Sequence, residues 1–170
     1  MRRDVLGKKR RMKQQDAIAL LKADHKKVKE LFQQVEDTSE RAKAQLQKLG
    51  DEICQELTVH TQIEEQIFYP AVKERVERGH KEEKDQVLEA YEEHAAAKKV
   101  IEDIQAVDAS DESYKPKITT LSELIDHHVK EEEKEMFPSV KELFDEEELV
   151  ELGQRMTELK TQLQEQAATT

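Results

Sequence analysis

The 170-residue chain has no tryptophan, one cysteine, three prolines and four glycines, and aromatic residues make up only 4% of it. A lone thiol, Cys54, cannot form an intrachain disulfide and suits a reducing compartment, so a cytoplasmic setting is expected. The scarcity of glycine and proline excludes collagen-like and low-complexity classes, and so few aromatics argue against a thick β-sandwich core. No apolar run approaches a membrane span, so no membrane partner is expected. What fills the chain is charge, 39% of residues against 36% hydrophobic, with Glu, Lys, Gln, Ala and Leu predominating. That is the composition of long, solvent-laced helices.

The formal net charge is −11 and unevenly spread. Residues 2–13 carry seven basic side chains (Arg2, Arg3, Lys8, Lys9, Arg10, Arg11 and Lys13) against one acid, so the remainder is more acidic still. Such a body repels nucleic acid, and no nucleic-acid partner is expected. The basic leader lacks the apolar segment of a secretory signal and reads as a solvated terminus.

Apolar spacing and breakers give five helical segments. The first covers 16–36 through Ile18, Leu21, His25, Val28, Phe32 and Val35. The second opens at a capping box of Asp37 and Glu40, passes Leu46, Leu49, Ile53, Leu57, His60, Ile63 and Ile67, and is closed by Gly79. The third spans 81–107 through Val87, His94, Ala97, Ile101 and Ile104; a turn at 108–113 leads to the fourth, with Leu121, Leu124, Ile125 and His128. A second capping box, Asp145 with Glu148, opens the last helix through Leu149, Leu152, Met156, Leu159 and Leu163. Pro70 and Pro138 fall inside the second and fourth helices, where each is expected to remove a backbone bond and kink the helix. The predicted fold is all-α, an up-down-up-down four-helix bundle over 16–144, preceded by the basic leader (1–15) and followed by an additional C-terminal helix and tail (145–170) that packs outside the bundle or mediates association.

The sequence also repeats. His60-Thr-Gln-Ile-Glu64 followed by Pro70, and His128-Val-Lys-Glu-Glu132 followed by Pro138, align without a gap, and Val, Lys and Glu after each proline coincide. Asp24-His25 and Glu93-His94 match more weakly, so the chain reads as a duplicated helical hairpin. The four histidines recur 35, 34 and 34 residues apart. Residues equidistant from a turn meet at one height in an antiparallel bundle. The midpoints fall at 111 inside the predicted turn, at 77 beside Gly79, and at about 42, which fits the Asp37 cap less well.

Each histidine interrupts an apolar stripe, which places four imidazoles in the core at one level. Glu64 and Glu132 follow His60 and His128 by four residues, about 400° of helix, and so share their faces. Two carboxylates buried together repel, and one is forced to protonate unless cations lie between them. His25, His60, Glu64, His94, His128 and Glu132 are therefore the candidate metal ligands. Four imidazoles and two carboxylates without a thiolate suit iron, manganese or zinc. If the carboxylates bridge two ions, octahedral iron keeps positions open, whereas structural zinc is closed. The glutamates one residue away, Glu65 and Glu131, are expected to face elsewhere.

These residues resemble the hemerythrin-like, or HHE cation-binding, family: His25 in helix one, His60-x-x-x-Glu64 in helix two, His94 in helix three and His128-x-x-x-Glu132 in helix four, across about 16–144. The resemblance implies a non-haem di-iron centre (Fe2+/Fe3+) with an oxo or hydroxo bridge, Glu64 and Glu132 as bridging carboxylates, and manganese or zinc as alternative metals. Oxygen-carrying hemerythrins place a further histidine four residues after the third-helix ligand. Here that position is Lys98, which makes the centre more nearly twofold and argues against reversible oxygen storage. Lys98 and Tyr91 are expected to support the site from its edge. Phe68, Tyr69, Met136 and Phe137 are expected to close the apolar end of the bundle, and Asp24 and Glu93 to orient neighbours or face solvent. The functional expectation is a protein that binds or senses a small ligand (O2, NO or peroxide) or iron, in the setting of oxidative stress. An enzyme that disproportionates peroxide or reduces NO is the alternative, and a metal-free scaffold for a protein partner a third reading. The oligomeric state is left open.

Overall fold

The computed structural model describes residues 15–76 and 79–169, and all of its regular elements are helical. The basic side chains of the leader lie outside the described residues. Helix α1 (Ala17–Asp37) is opened by Asp16, whose carboxylate accepts the amide of Ala19 at 2.8 Å. It buries Ile18, Leu21, His25, Val28, Phe32 and Val35, the stripe its three-four spacing prescribes. Helix α2 (Lys43–Ile63) returns antiparallel and runs through a π turn at Glu64–Phe68 into α3 (Tyr69–Val76). Gly79, with φ of 97°, takes the left-handed conformation that a side chain disfavours. Helix α4 (Lys81–Gln105) carries Glu82 and Glu83 in its first turn, where the helix dipole favours them. Helix α5 (Tyr114–Glu131) runs through a second π turn, Glu132–Met136, into α6 (Phe137–Leu143). The predicted capping box of Asp145 and Glu148 is present and opens α7 (Glu146–Ala168).

One local expectation fails. Asp37 does not cap the second helix: it ends α1, and α2 begins six residues later behind Ala42, with no side-chain cap. The carbonyls at the end of α1 are met from across the bundle, Lys115 donating to the oxygens of Glu36 and Thr38 at 3.3 and 2.9 Å, and it is the second helix that begins later than predicted. The turn is therefore 38–42, and the histidine midpoint near 42 lies at its edge.

Pro70 and Pro138 lie within continuous helix. Each is preceded by a turn widened by one residue, in which the amide of Tyr69 reaches the carbonyl of Glu64 and that of Phe137 reaches Glu132. The wider turn absorbs the missing proline donor while the chain stays helical.

Two apolar clusters fill the bundle. One, built on Val35, Leu46, Ile53, Leu57, Ile104 and Leu121, lies toward the 38–42 and 106–113 turns. The other holds Leu21, Ile63, Phe68, Tyr69, Phe137, Val140 and Met156. The histidine layer lies between them, cut off from bulk water at both ends. Helix α7 packs outside the four-helix core, against α1 and α2, burying Leu149, Leu152 and Met156. Gly153 makes that docking possible: a side chain there would collide with the backbone of Gln15, Asp16 and Ala17.

Candidate metal centre

Six polar side chains buried between apolar clusters must find partners in one another or in a ligand. His25 comes from α1, His60 from α2, His94 from α4 and His128 from α5, while Glu64 and Glu132 each begin a π turn. All six are buried, Glu64 to 0% exposure and Glu132 to 1%. Paired across the bundle, the imidazoles of His25 and His60 lie 5.0 Å apart by ring centroid, and those of His94 and His128 4.7 Å.

Each carboxylate reaches one ring from each pair. Oε2 of Glu64 lies 3.3 Å from Nε2 of His60 and 3.2 Å from Nε2 of His94. Oε2 of Glu132 lies 3.3 Å from Nε2 of His25 and 3.5 Å from Nε2 of His128. Adjacent donors of an octahedral ion with bonds near 2.1 Å stand about 3 Å apart, so the spacing is that of coordination edges. Two donor groups result, His25–His60–Glu64–Glu132 and Glu64–His94–His128, and they share Glu64. Nε2 of His25 and His60, Oε1 of Glu64 and Oε2 of Glu132 are buried without a hydrogen-bond partner. Orphans of this kind clustered at one point call for an ion. The donor set fits the metals the sequence implies.

The outward nitrogens are all engaged. Nδ1 of His25 meets Glu133 at 2.9 Å, that of His60 meets Asp24 at 3.3 Å, that of His94 meets Glu65 at 2.9 Å and that of His128 meets Glu93 at 2.7 Å. Four carboxylates thus fix four rings with Nε2 facing inward, the arrangement that orients metal-binding histidines. The partners follow the repeat. Asp24 and Glu93 directly precede His25 and His94 in sequence, and Glu65 and Glu133 directly follow Glu64 and Glu132. Glu65 therefore does not face away from the site, as its place beside Glu64 had suggested; it is held by Lys98 through both oxygens, at 2.6 and 2.7 Å. Lys98 reaches the site only through Glu65. Tyr91 stands beside the same residue, its hydroxyl 3.4 Å from the Glu65 carbonyl.

Tyr69 is the residue the sequence reading placed least well. Its hydroxyl donates to Oε1 of Glu132 at 2.6 Å and sits 3.3 Å from Nε2 of His94 and 3.4 Å from Oε2 of Glu64. The repeat puts Phe137 at the matching position, where its ring stacks on His25 at 5.9 Å. The near-twofold centre therefore carries a phenol on one side only. His127 and Glu131 lie apart, at the surface: His127, 66% exposed, pairs with Glu131 at 3.1 Å and Glu93 at 3.4 Å.

The electrostatics follow from burial without an ion. Burial, and then Glu132 beside it, hold Glu64 well above the usual carboxylate range. Glu132 is pressed upward by burial too, but His128 and His25 outweigh that and hold it low. Burial takes His60 down to about 4 and also lowers His94. His25 and His128 are pressed the same way, yet the carboxylates around them raise both. Two rings raised, two lowered and an unequal carboxylate pair mark a buried cluster whose charges are poorly balanced by its own members, and a cation between them relieves that.

The hemerythrin HHE cation binding domain matches residues 16–140, which include all six donors. The chain belongs to this family. The HHE fold is also that of a solved hemerythrin HHE cation binding domain-containing protein from Mycobacterium kansasii, with a TM-score of 0.75 over 91% of this chain and 90% of that one; at 24% identity the likeness is one of fold. A DNA nickase from Nostoc sp. is 27% identical over 122 residues, 72% of this chain but only 32% of the nickase, so this chain spans about a third of that relative's length. The HHE domain here is a metal-binding, hemerythrin-like bundle, and no described helix is long and apolar enough to cross a membrane.

Proposed function

We propose that this HHE domain holds two iron ions between His25–His60 and His94–His128, bridged by Glu64 and Glu132, and that it binds or senses a small ligand there. The observation that carries this reading is the group of four orphaned buried atoms on His25, His60, Glu64 and Glu132. Iron supplies open coordination positions and one-electron redox chemistry, and the six residues leave such positions vacant around each ion. Manganese and zinc accept the same donors.

The surroundings favour a small ligand. A cavity of about 10 Å³ lies against all four histidines and is otherwise walled by Val28, Leu57, Ile125 and Val129 with Asp24 and Thr61. That is room for one water-sized molecule beside the rings, which favours a ligand of a few atoms. On the α1–α5 side a groove of about 540 Å³ runs in to His25, bordered by Lys22, Lys26, Lys29, Lys130 and Lys134. Glu36, Asp126 and Glu133 line the same groove, so its lysines outnumber its acids five to three, which favours a small anionic or polar ligand.

Catalysis by the same centre, as peroxide disproportionation or NO reduction, is the alternative, and a reducing cytoplasm is the setting proposed for either. Stopped-flow mixing of the iron-loaded protein with peroxide decides. One stoichiometric spectral change per centre supports binding or sensing, sustained O2 evolution supports catalysis, and absence of any response in a protein carrying two irons would refute both.

A further inference from the structure

We infer that Lys160, on the helix outside the four-helix bundle, is a positioning residue for the metal centre, anchoring Asp24 so that Asp24 fixes the ring of His60. The inference rests on the metal-binding reading above and adds to it a role for α7.

The ammonium of Lys160 donates to Oδ1 of Asp24, and Oδ2 of the same carboxylate accepts from Nδ1 of His60 at 3.3 Å. The line joins three helices: α7, α1 and α2. It is screened from water throughout, the side chains of Lys160, Asp24 and His60 being 18%, 9% and 6% exposed. A carboxylate whose two oxygens have separate partners cannot turn about its last bond without losing one of them. Lys160 therefore sets which way Asp24 points, and Asp24 sets the tautomer and plane of His60, whose Nε2 faces Oε2 of Glu64 at 3.3 Å.

The comparison within the molecule is direct. Glu65, which holds His94, is anchored by Lys98 from α4, inside the bundle. Asp24 has its cation from α7 instead. The docking of α7 rests on Leu149, Leu152, Gly153 and Met156, with Leu159 and Leu163 packed on the same cluster, so the lysine is not what attaches the helix. One carboxylate on each side of the centre is thus held by a lysine, and for His60 that lysine comes from a segment beyond the residues the family match covers.

The test uses the full chain as wild type, Lys160→Met, Lys160→Arg, Asp24→Ala and the Asp24→Ala/Lys160→Met double variant. Each is loaded with ferrous iron under argon, and release to a chelator is timed. Lys160→Met is expected to release iron about tenfold faster, the lower end of what outer partners of metal-bound histidines contribute. Lys160→Arg is expected to restore the wild-type rate, and Lys160→Met to add nothing on the Asp24→Ala background. In the metal-free protein, imidazole 15N shifts should show His60 held as the Nδ1–H tautomer in wild type and a tautomer mixture in Lys160→Met. Unchanged release and tautomer, or an equal acceleration with and without Asp24, would overturn the inference. A wild type that takes up no iron would overturn the proposed function, and the tautomer comparison would still decide the role of Lys160.

Discussion

The phenol of Tyr69 donates a 2.6 Å hydrogen bond to Oε1 of Glu132, sixty-three positions along the chain and on the opposite half of the duplicated bundle. The contact exists because the π turn beginning at Glu64 shifts Tyr69 by one residue. On an unbroken α-helix Tyr69, nine residues after His60, would lie about 180° from it, and five residues after Glu64 about 140° from that glutamate. Removing the hydroxyl leaves a buried carboxylate oxygen without its donor. Tyr69→Phe is expected to lower the stability of the metal-free protein by about 1–3 kcal/mol, measured by urea unfolding. An unchanged midpoint would mean that the phenol does not matter to Glu132.

Glu64 and Glu132 should be distinguishable from their neighbours by metal content. Glu64→Ala and Glu132→Ala are each expected to lose most bound metal, because each carboxylate touches one ring of both pairs. Glu65→Ala is expected to weaken binding about 10–100-fold, through the freed ring of His94 and the unpaired Lys98. Glu131→Ala, at the surface beside His127, should leave metal content unchanged. Elemental analysis after gel filtration reads all four; equal losses at Glu64 and Glu131 would contradict the geometry.

How much of this was legible in the sequence depends on where each partner sits. The six candidate ligands were readable because each interrupts an apolar stripe at helical spacing, and the structure brings their side chains together. The capping box at Asp145 was readable because both of its partners are local. The cap proposed at Asp37 failed because Asp37 is still the last residue of α1 and α2 starts only at Lys43, so its carboxylate has no helix N-terminus beside it. The acceptors of the four Nδ1 atoms were half visible. Asp24 and Glu93 stood out beside their histidines, but each serves a ring on the neighbouring helix; Glu65 was expected to face elsewhere, and nothing local singled out Glu133. Tyr69 was read as apolar filling because a single inserted residue changes its face; the proline one position later was the available sign.

Gly153 should matter more than helix propensity suggests. Alanine is the better helix former by about 1 kcal/mol, yet its methyl group would lie 2.7 Å from the Asp16 carbonyl carbon and 2.8 Å from the Ala17 nitrogen. Gly153→Ala is therefore expected to destabilise the fold by about 1–3 kcal/mol by pushing α7 off α1. A rise in melting temperature would show that the close approach is not there.

Cys54 gives a pH signature. The thiol is 2% exposed and pushed up to about 11 by burial and then by Asp51. An unfolded thiol ionises near pH 8.5, as in model peptides, so the folded form keeps its proton longer. Its contribution to stability is complete below that pH and is lost as pH rises from there through about 11. The stability difference between wild type and Cys54→Ala is therefore expected to shrink across this window. A difference independent of pH would place the thiol in water.

The central claim is that two cations lie between these six side chains. Crystals of the iron-loaded protein, measured on either side of the iron absorption edge, test it directly. The account predicts two anomalous peaks, one near His25 and His60 and one near His94 and His128, both within bonding reach of Glu64 and Glu132. Fully loaded crystals with no peak there, or with iron bound only at the surface beside His127 and Glu131, would contradict it.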